Sequence, residues 1–316
     1  MTWTSALSQI LQLAVAVLLA PMLLGWVNQC RSWLQNKRAP SILQPYRMIT
    51  KLFVKEPVIA SNASPIFRLT PYILFGAMAL AAAIVPSLAT DLPFATAADA
   101  IALVGIFALA RIFISLAAMD IGTAFGSLGA RREMLIGFLA EPALLMVFFT
   151  ASLISQSTSL ATIVETLAHR EFVIYPSLAF AGIAFTMVSL AENARVPVDN
   201  PATHLELTMI HEAMILEYSG RHLALIEWAS SLKLFNYSCL GLALFFPWGI
   251  VEGAHDVLGL LLAVPVLVGK LAIGGFLLAM IETLSAKMRI FRAPEFLGTA
   301  FLLGVLGMLV HQLLGA

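Results

Sequence analysis

The chain has 316 residues, of which 60% are hydrophobic and only 11% carry a charged side chain. Its apolar stretches are long enough to cross a bilayer of roughly 30 Å as helices, and they lack the alternating pattern of a membrane barrel. These properties exclude a soluble globular protein. The two cysteines, Cys30 and Cys239, lie far apart; they form no disulfide framework and are too few for an iron–sulfur cluster.

An all-α polytopic membrane protein with about eight transmembrane helices is predicted, forming a single integral-membrane domain over residues 1–316. Helices are favoured because a lipid-exposed backbone must satisfy its hydrogen bonds internally. The first apolar run lacks a basic leader and a cleavage signal, so it is interpreted as a retained helix. The predicted spans cover residues 5–27, 71–89, 97–118, 134–154, 173–190, 222–251, 258–284 and 296–314.

Positive charge orients these spans. Fourteen of the eighteen lysines and arginines fall in the loops after the first, third, fifth and seventh spans, whereas the opposite loops hold only Arg170. Lysine and arginine accumulate in cytoplasmic loops. Both termini are therefore predicted on the periplasmic side.

The first cytoplasmic loop, residues 28–70, is predicted to contain a short amphipathic helix. Residues 49–54 and the nearby Leu43 and Tyr46 place apolar side chains towards the membrane, with Arg47, Lys51 and Lys55 pointing away. Two interpretations remain open. The loop is either a basic surface attracted to anionic lipid or a docking surface for a soluble partner.

Several charged residues lie inside or at the ends of predicted spans, where each costs roughly 2.5–3.5 kcal/mol on insertion scales. They either pair between neighbouring helices for structural reasons, or they form a buried relay for protons or charge. Lysine and glutamate suit a relay because burial and neighbours can shift their proton affinities. These residues are Arg111, Asp120, Glu141, Glu227, Lys233, Lys270 and Glu282.

An acidic cytoplasmic segment, residues 192–222, separates the fifth and sixth spans. Apolar positions at spacings of three and four predict a helix over residues 201–218, with Asp199 and Asn200 before its start and Gly220 at its end. Residues 192–227 hold six of the eighteen carboxylates, which are Glu192, Asp199, Glu206, Glu212, Glu217 and Glu227.

No metal site, catalytic residue or nucleic-acid partner is predicted. The spacing of His204, Glu206 and His211 matches no standard set of metal ligands. Phosphate-binding loops, nucleophile elbows and dinucleotide fingerprints do not occur in the sequence. A stand-alone transporter would explain charges within the membrane, but it predicts internal repeats that the sequence does not show.

Three separated motifs resemble the respiratory complex I subunit 1 family. They are Glu192-Asn-Ala-Arg195-Val-Pro197-Val-Asp199 with the later Glu206-Leu207 and Glu217-Tyr218-Ser219-Gly220; Arg38-Ala-Pro40, Leu43-Gln44-Pro45 and Lys51-Leu52-Phe53-Val54-Lys55-Glu56 in the first loop; and Arg132 followed nine positions later by Glu141.

Departures from this pattern at Val198, Ala202 and His204 disfavour a quinone pocket. Arg131-Arg132-Glu133-Met134 and Ala140-Glu141-Pro142 are more similar to the branch of hydrogenase-4 and formate hydrogenlyase, the group 4 NiFe hydrogenases.

The resemblance implies a bacterial inner-membrane subunit that seats a soluble electron-transfer arm and connects it to antiporter-like subunits. Its partners would be large- and small-type hydrogenase subunits, an iron–sulfur protein, antiporter-like membrane subunits and the lipid bilayer. This chain would bind no cofactor, because the partners would carry the iron–sulfur clusters and the nickel–iron centre. The matching motif residues, expected to dock the arm, are Arg38, Gln44, Lys51, Lys55, Arg131, Arg132, Glu192 and Arg195.

The resulting hypothesis is that redox chemistry in the arm alters charge near residues 206–217 and biases protonation of Glu141, Asp199 and Glu227. An alternative keeps the fold but places the chain in an NADH:quinone oxidoreductase-type complex. A quinone tail would then lie among the cytoplasmic ends of the first, fifth and sixth spans.

Overall fold

Long apolar segments form helices throughout the part of the chain that the computed structural model describes, residues 3–90, 92–94, 99–169, 176–199, 209–251 and 257–314. A 3-10 turn, Ile290–Arg292, leads into the last helix. The helices are α1 (Trp3–Leu34), α2 (Gln44–Val54), α3 (Pro65–Ile84), α4 (Ala100–Asp120), α5 (Ala124–Ser155), α6 (Leu160–His169), α7 (Pro176–Glu192), α8 (His211–Ile215), α9 (Gly220–Phe245), α10 (Val257–Leu284) and α11 (Ala293–Leu314).

Each of the eight predicted spans contains a helix, which confirms the all-α membrane fold, and the count of eight is approximate. Within the described residues, six helices are long and apolar enough to cross a membrane, namely α1, α3, α4, α5, α10 and α11. The other two are α7, which has 17 residues, and α9, which has 26 residues but carries Glu227 and Lys233. The predicted starts of the third and fifth spans, residues 97 and 173, lie outside the described residues.

Side-chain caps fix the start of three helices. The Ser64 hydroxyl accepts a hydrogen bond from the Ile66 amide at 3.1 Å, and the Asp99 carboxylate accepts one from the Ile101 amide at 3.0 Å. Thr123 caps α5 in the same way. Each acceptor satisfies an amide that the first helical turn leaves without a partner.

Small residues let the helices approach closely. In the packing, α11 lies against α5 and α7, α3 against α4 and α9, and α1 against α10 and α9. Ala16, Ala20 and Ala140 are completely buried at these contacts. Gly25 is required where the first loop crosses α1, because a Cβ atom there would lie 2.8 Å from the carbonyl carbon of Ile42.

The loops divide between two ends of the bundle as the charge pattern predicts. At one end, the Val58 amide donates to the Ser219 hydroxyl at 2.8 Å, and the Met288 amide donates to the Pro197 carbonyl at 2.9 Å. This end, which joins the loops after α1, α4, α7 and α10, is called the charged end below. At the opposite end, the Thr90 amide donates to the Val251 carbonyl at 3.1 Å.

The segment between α7 and α9 differs from its prediction. Within the described residues, the only helix of this segment is α8. The amide of His211, the first residue of α8, donates a hydrogen bond to the Asp199 carboxylate at 3.3 Å, and the helix starts there. Residues 200–208 lie outside the described residues. Gly220 does not end a helix as predicted, but begins α9 with a φ of +53°.

The first loop also contains a helix, as predicted, although its buried face contacts protein. Pro45 and Ile49 are the buried residues of α2, and α2 packs against α9 and α1. The outer helix α6 was not predicted, since it is short and joins two apolar runs.

Candidate functional site

Arg111 is the centre of a buried ion-pair network. It projects from the middle of α4 and is only 6% exposed. Gly137 on α5 provides the space for its guanidinium group, because a Cβ atom at that position would lie 2.7 Å from Arg111 Cδ and 2.9 Å from Cζ. The Arg111 guanidinium therefore fits into a space that α5 leaves open at Gly137.

Three carboxylates surround the Arg111 guanidinium. Glu133 Oε1 lies 3.4 Å from Nε, and Glu141 Oε1 lies 2.5 Å from one terminal nitrogen. Glu192, at the end of α7, pairs with the other terminal nitrogen. Lys233 of α9 binds the second oxygen of Glu192 at 2.9 Å. Four helices, α4, α5, α7 and α9, therefore meet through charge within the bundle.

Glu141 differs from the other two carboxylates in its exposure. Its side chain is 34% exposed, whereas those of Glu133 and Glu192 are 3% and 2% exposed. Glu141 is followed by Pro142 within α5. Because proline has no N–H, the carbonyl of Phe138, one turn earlier, receives no helical hydrogen bond from it. The network thus reaches the lateral surface of the chain at Glu141.

His211 connects this network to the charged end. Its Nε2 lies 3.2 Å from Glu133, and its Nδ1 lies 3.4 Å from Asp199. Burial of the imidazole opposes its protonation, but the Glu133 and Asp199 carboxylates outweigh that effect and raise the pKa of His211 to about 9. Lys287 lies 3.7 Å from the other oxygen of Asp199. The imidazolium therefore bridges two carboxylates that belong to separate segments.

A second ion-pair group lies nearby. Glu282 of α10 is buried and pairs with Arg195 at 3.0 Å and with Arg31 of α1 at 3.6 Å. These contacts join α1 and α10 to the segment that follows α7. Because two cations pair with one carboxylate, this group attaches the segment at the charged end to α1 and α10.

A cavity of about 140 Å³ adjoins the network. A water molecule needs roughly 10–15 Å³ of such space and several polar partners, so the cavity can hold several waters. Glu227 lines it, and no described residue forms a hydrogen bond with the Glu227 carboxylate. The charged side chains that line the cavity are Arg111, Glu133, Glu192, His211, Glu227 and Lys233.

The sequence matches the NADH dehydrogenase family model over residues 8–312. The chain belongs to this family. Formate hydrogenlyase subunit 4 of Escherichia coli is 32% identical over 297 residues, 94% of this chain and 95% of that relative. Hydrogenase-4 component C of the same organism is 34% identical over 241 residues, 75% of this chain and 74% of that relative. The predicted family and its hydrogenase-4 and formate hydrogenlyase branch are therefore confirmed.

A more distant relative and a solved structure extend the comparison. A subunit of the NADH-quinone oxidoreductase of Rickettsia bellii is 27% identical over 199 residues, 61% of this chain and 58% of that relative. A chain of the membrane-bound sulfane sulfur reductase, an archaeal respiratory membrane complex, superposes with a TM-score of 0.80 at 19% identity. That match covers 96% of this chain and 98% of the other, and at this identity it shows the shared fold.

The structure brings together five of the residues predicted to carry a relay or to dock the arm: Arg111, Glu141, Glu192, Asp199 and Lys233. Glu227 joins them at the cavity. These contacts are compatible with both interpretations, structural pairing between neighbouring helices and a relay for protons or charge. The relay role itself stays a prediction.

Other predicted relay residues lie elsewhere. Asp120 accepts a hydrogen bond from the Ser64 amide at 2.8 Å, at the start of α3. Lys270 donates to the carbonyls of Phe246 and Trp248 after the end of α9, at the end opposite the charged one. Glu282 belongs to the second ion-pair group, Glu212 is half-buried and Glu217 is exposed. Glu206 lies outside the described residues.

The predicted docking residues share the charged end. Arg38, Gln44, Lys51, Lys55 and Arg131 are exposed there. Arg132 is half-buried and donates to the Met209 carbonyl at 2.9 Å, while Arg195 and Glu192 are buried in ion pairs. Docking by the exposed members stays a prediction.

Sequence reasoning missed Glu133 and His211 as members of the network. Glu133, Gly137 and Glu141 recur every four residues in α5, so the two acids lie on one face with a glycine between them. That spacing was a usable signal. His211 had no comparable signal, because its partners come from segments that only folding brings together. Among the described residues, no group of three histidine, cysteine or acidic side chains is placed to hold a metal ion.

Proposed function

We propose that the chain is the membrane subunit of a complex I-like complex of the hydrogenase-4 and formate hydrogenlyase type. It seats a soluble electron-transfer arm at the charged end and relays redox-linked charge or proton shifts to antiporter-like membrane subunits. The observation that carries the proposal is the continuous series of ion pairs from Asp199 through His211, Glu133 and Arg111 to Glu141. The names of the two Escherichia coli relatives support the type of complex.

The relay works because Arg111 is shared among three carboxylates. When one carboxylate gains a proton, the guanidinium interacts more strongly with the remaining two, so their protonation is coupled. A change of charge near Asp199 alters the balance at His211 and then at Glu133. Glu141, the most exposed of the three, passes that change to a polar group on a neighbouring membrane subunit.

The arm binds at the charged end, which faces the bacterial cytoplasm. Exposed Arg38, Lys55 and Arg131 supply positive charge there, and complementary charge speeds and orients docking. The iron–sulfur clusters and the nickel–iron centre reside in the soluble partners.

Replacing Glu141 with Gln tests the relay. The variant keeps the shape of the side chain but cannot carry a negative charge, so proton-gradient formation falls while electron transfer through the arm continues. Both are measured in membrane vesicles that contain the whole complex. Lys270→Met is the matched control, since it removes a span charge outside the network. If Glu141→Gln leaves the gradient per electron unchanged, Glu141 has no coupling role.

The alternative assignment, a quinone-site subunit, is supported by the relatives that belong to NADH-quinone oxidoreductases. Quinone-site inhibitors distinguish the two assignments in purified complex. The hydrogenase-type complex keeps its activity in their presence, whereas a quinone oxidoreductase loses it.

A further inference from the structure

A basic stripe runs along the outer side of α2. Arg47 and Lys51 are exposed and lie four residues apart, so they share one side of α2, and the exposed Lys55 follows its last residue. The opposite side, with Pro45 and Ile49, is buried in the contact with α9. α2 itself contains no acidic residue, and the exposed Glu56 follows Lys55, so the stripe carries three positive charges beside one negative charge.

The start of α2 lies at the level where α1 leaves the apolar part of the bilayer. The segment entering α2 crosses α1 at Gly25, and the Tyr46 side chain contacts the backbone of Met22. The first charged residue of α1 is Arg31, which follows Gly25 by about 9 Å along the helix. Trp33 is 52% exposed, and exposed tryptophan is typical of the membrane–water boundary. The basic stripe is thus near the lipid headgroups.

Two neighbouring grooves meet beside Tyr46. An apolar groove of about 240 Å³ lies between α1 and α10, and its lining includes Met22, Leu23, Ile42, Val268 and Leu271. A wider groove of about 710 Å³ follows α2 and is lined by Leu43, Tyr46, Thr50 and Val54 together with the three basic residues. Ile42 of the apolar groove and Leu43 of the basic groove are consecutive, so the two grooves are neighbours.

We propose that the two grooves bind one anionic phospholipid. Its phosphate lies on Arg47 and Lys51, and one acyl chain lies between α1 and α10 against Leu23 and Leu271. The positive charge favours an anionic headgroup over a neutral quinone. An apolar groove at this depth favours an acyl chain over the acidic surface of a soluble protein. The inference does not depend on the proposed relay.

Lipid retention by the full-length protein tests this site. The protein is purified in mild detergent, mixed with equal amounts of phosphatidylglycerol and phosphatidylcholine, and examined by native mass spectrometry. We expect phosphatidylglycerol to be retained preferentially. In the double variant Arg47→Gln/Lys51→Gln its retention falls about 30-fold, since each basic residue near the surface contributes about 1 kcal/mol.

Two further variants separate the parts of the site. Lys37→Gln/Arg38→Gln removes two exposed charges from the same loop but outside the grooves, and it retains phosphatidylglycerol like the unaltered protein. Val268→Trp fills the apolar groove and lowers retention of both lipids without changing the preference between them. Equal retention of the two lipids by the unaltered protein, an equal loss in the control variant, or displacement of phosphatidylglycerol by a neutral quinone overturns the proposal.

Discussion

Replacement of His211 by Gln has an effect on stability that depends on pH. The imidazolium lies between Glu133 and Asp199, and its pKa rises from 6.5 to about 9 in the folded protein. That difference corresponds to about 3 kcal/mol in favour of the folded state. Because the folded-state pKa is the higher one, this contribution is fully present below pH 6.5. It declines as the pH rises and is lost above about pH 9.

The free energy of unfolding in SDS titrations, measured from pH 6 to pH 9.5, provides the assay. The free energy of unfolding of the unaltered protein exceeds that of His211→Gln by the largest amount at pH 6. The difference becomes smaller as the pH rises to 9.5. His169→Gln serves as the control, since His169 is exposed on the outer helix α6. A difference between unaltered protein and His211→Gln that stays constant with pH would falsify the bridging role.

Two other substitutions test the packing of charge and hydrogen bonds. Arg111→Met leaves three carboxylates without their guanidinium and lowers the free energy of unfolding by about 3–5 kcal/mol; the double variant Arg111→Met/Glu192→Gln recovers part of it. If adding Glu192→Gln to Arg111→Met recovers no stability, unpaired negative charge is not the cause of the loss. Tyr218→Phe removes the 2.9 Å hydrogen bond to the Phe67 carbonyl but keeps the stacked rings. It costs about 0.5–1.5 kcal/mol in the same SDS titration, and an unchanged value contradicts that assignment.

The helices, and the grouping of the basic loops at one end of the bundle, were predictable because each depends on a local property. An apolar run of about 20 residues forms a helix wherever it lies, and basic loops after alternate spans indicate one end of the bundle. The start of α8 at His211 was not predictable in this way. The periodic apolar pattern favours a helix through that position. Instead, the His211 amide donates a hydrogen bond to the Asp199 carboxylate, and the helix starts at His211.

The site was predictable in part for the same reason. Charges inside apolar runs stand out, so Arg111, Glu141 and Lys233 were identified from their positions alone. Their partners depend on contacts between residues far apart in sequence, such as Arg111 with Glu192. Lys270 shows the converse. It stands out equally in the sequence, yet it donates hydrogen bonds to carbonyls after α9 and lies away from the ion-pair network.

The proline after Glu141 has a consequence for the whole assembly. The Phe138 carbonyl lacks the donor that Pro142 would supply in an unbroken helix, and the Phe138 side chain beside it is 76% exposed. Hydrocarbon tails provide no N–H or O–H groups, so lipid alone cannot solvate this carbonyl or the neighbouring carboxylate. In the proposed complex, a neighbouring membrane subunit covers this side of α5 and supplies the polar groups that lipid cannot.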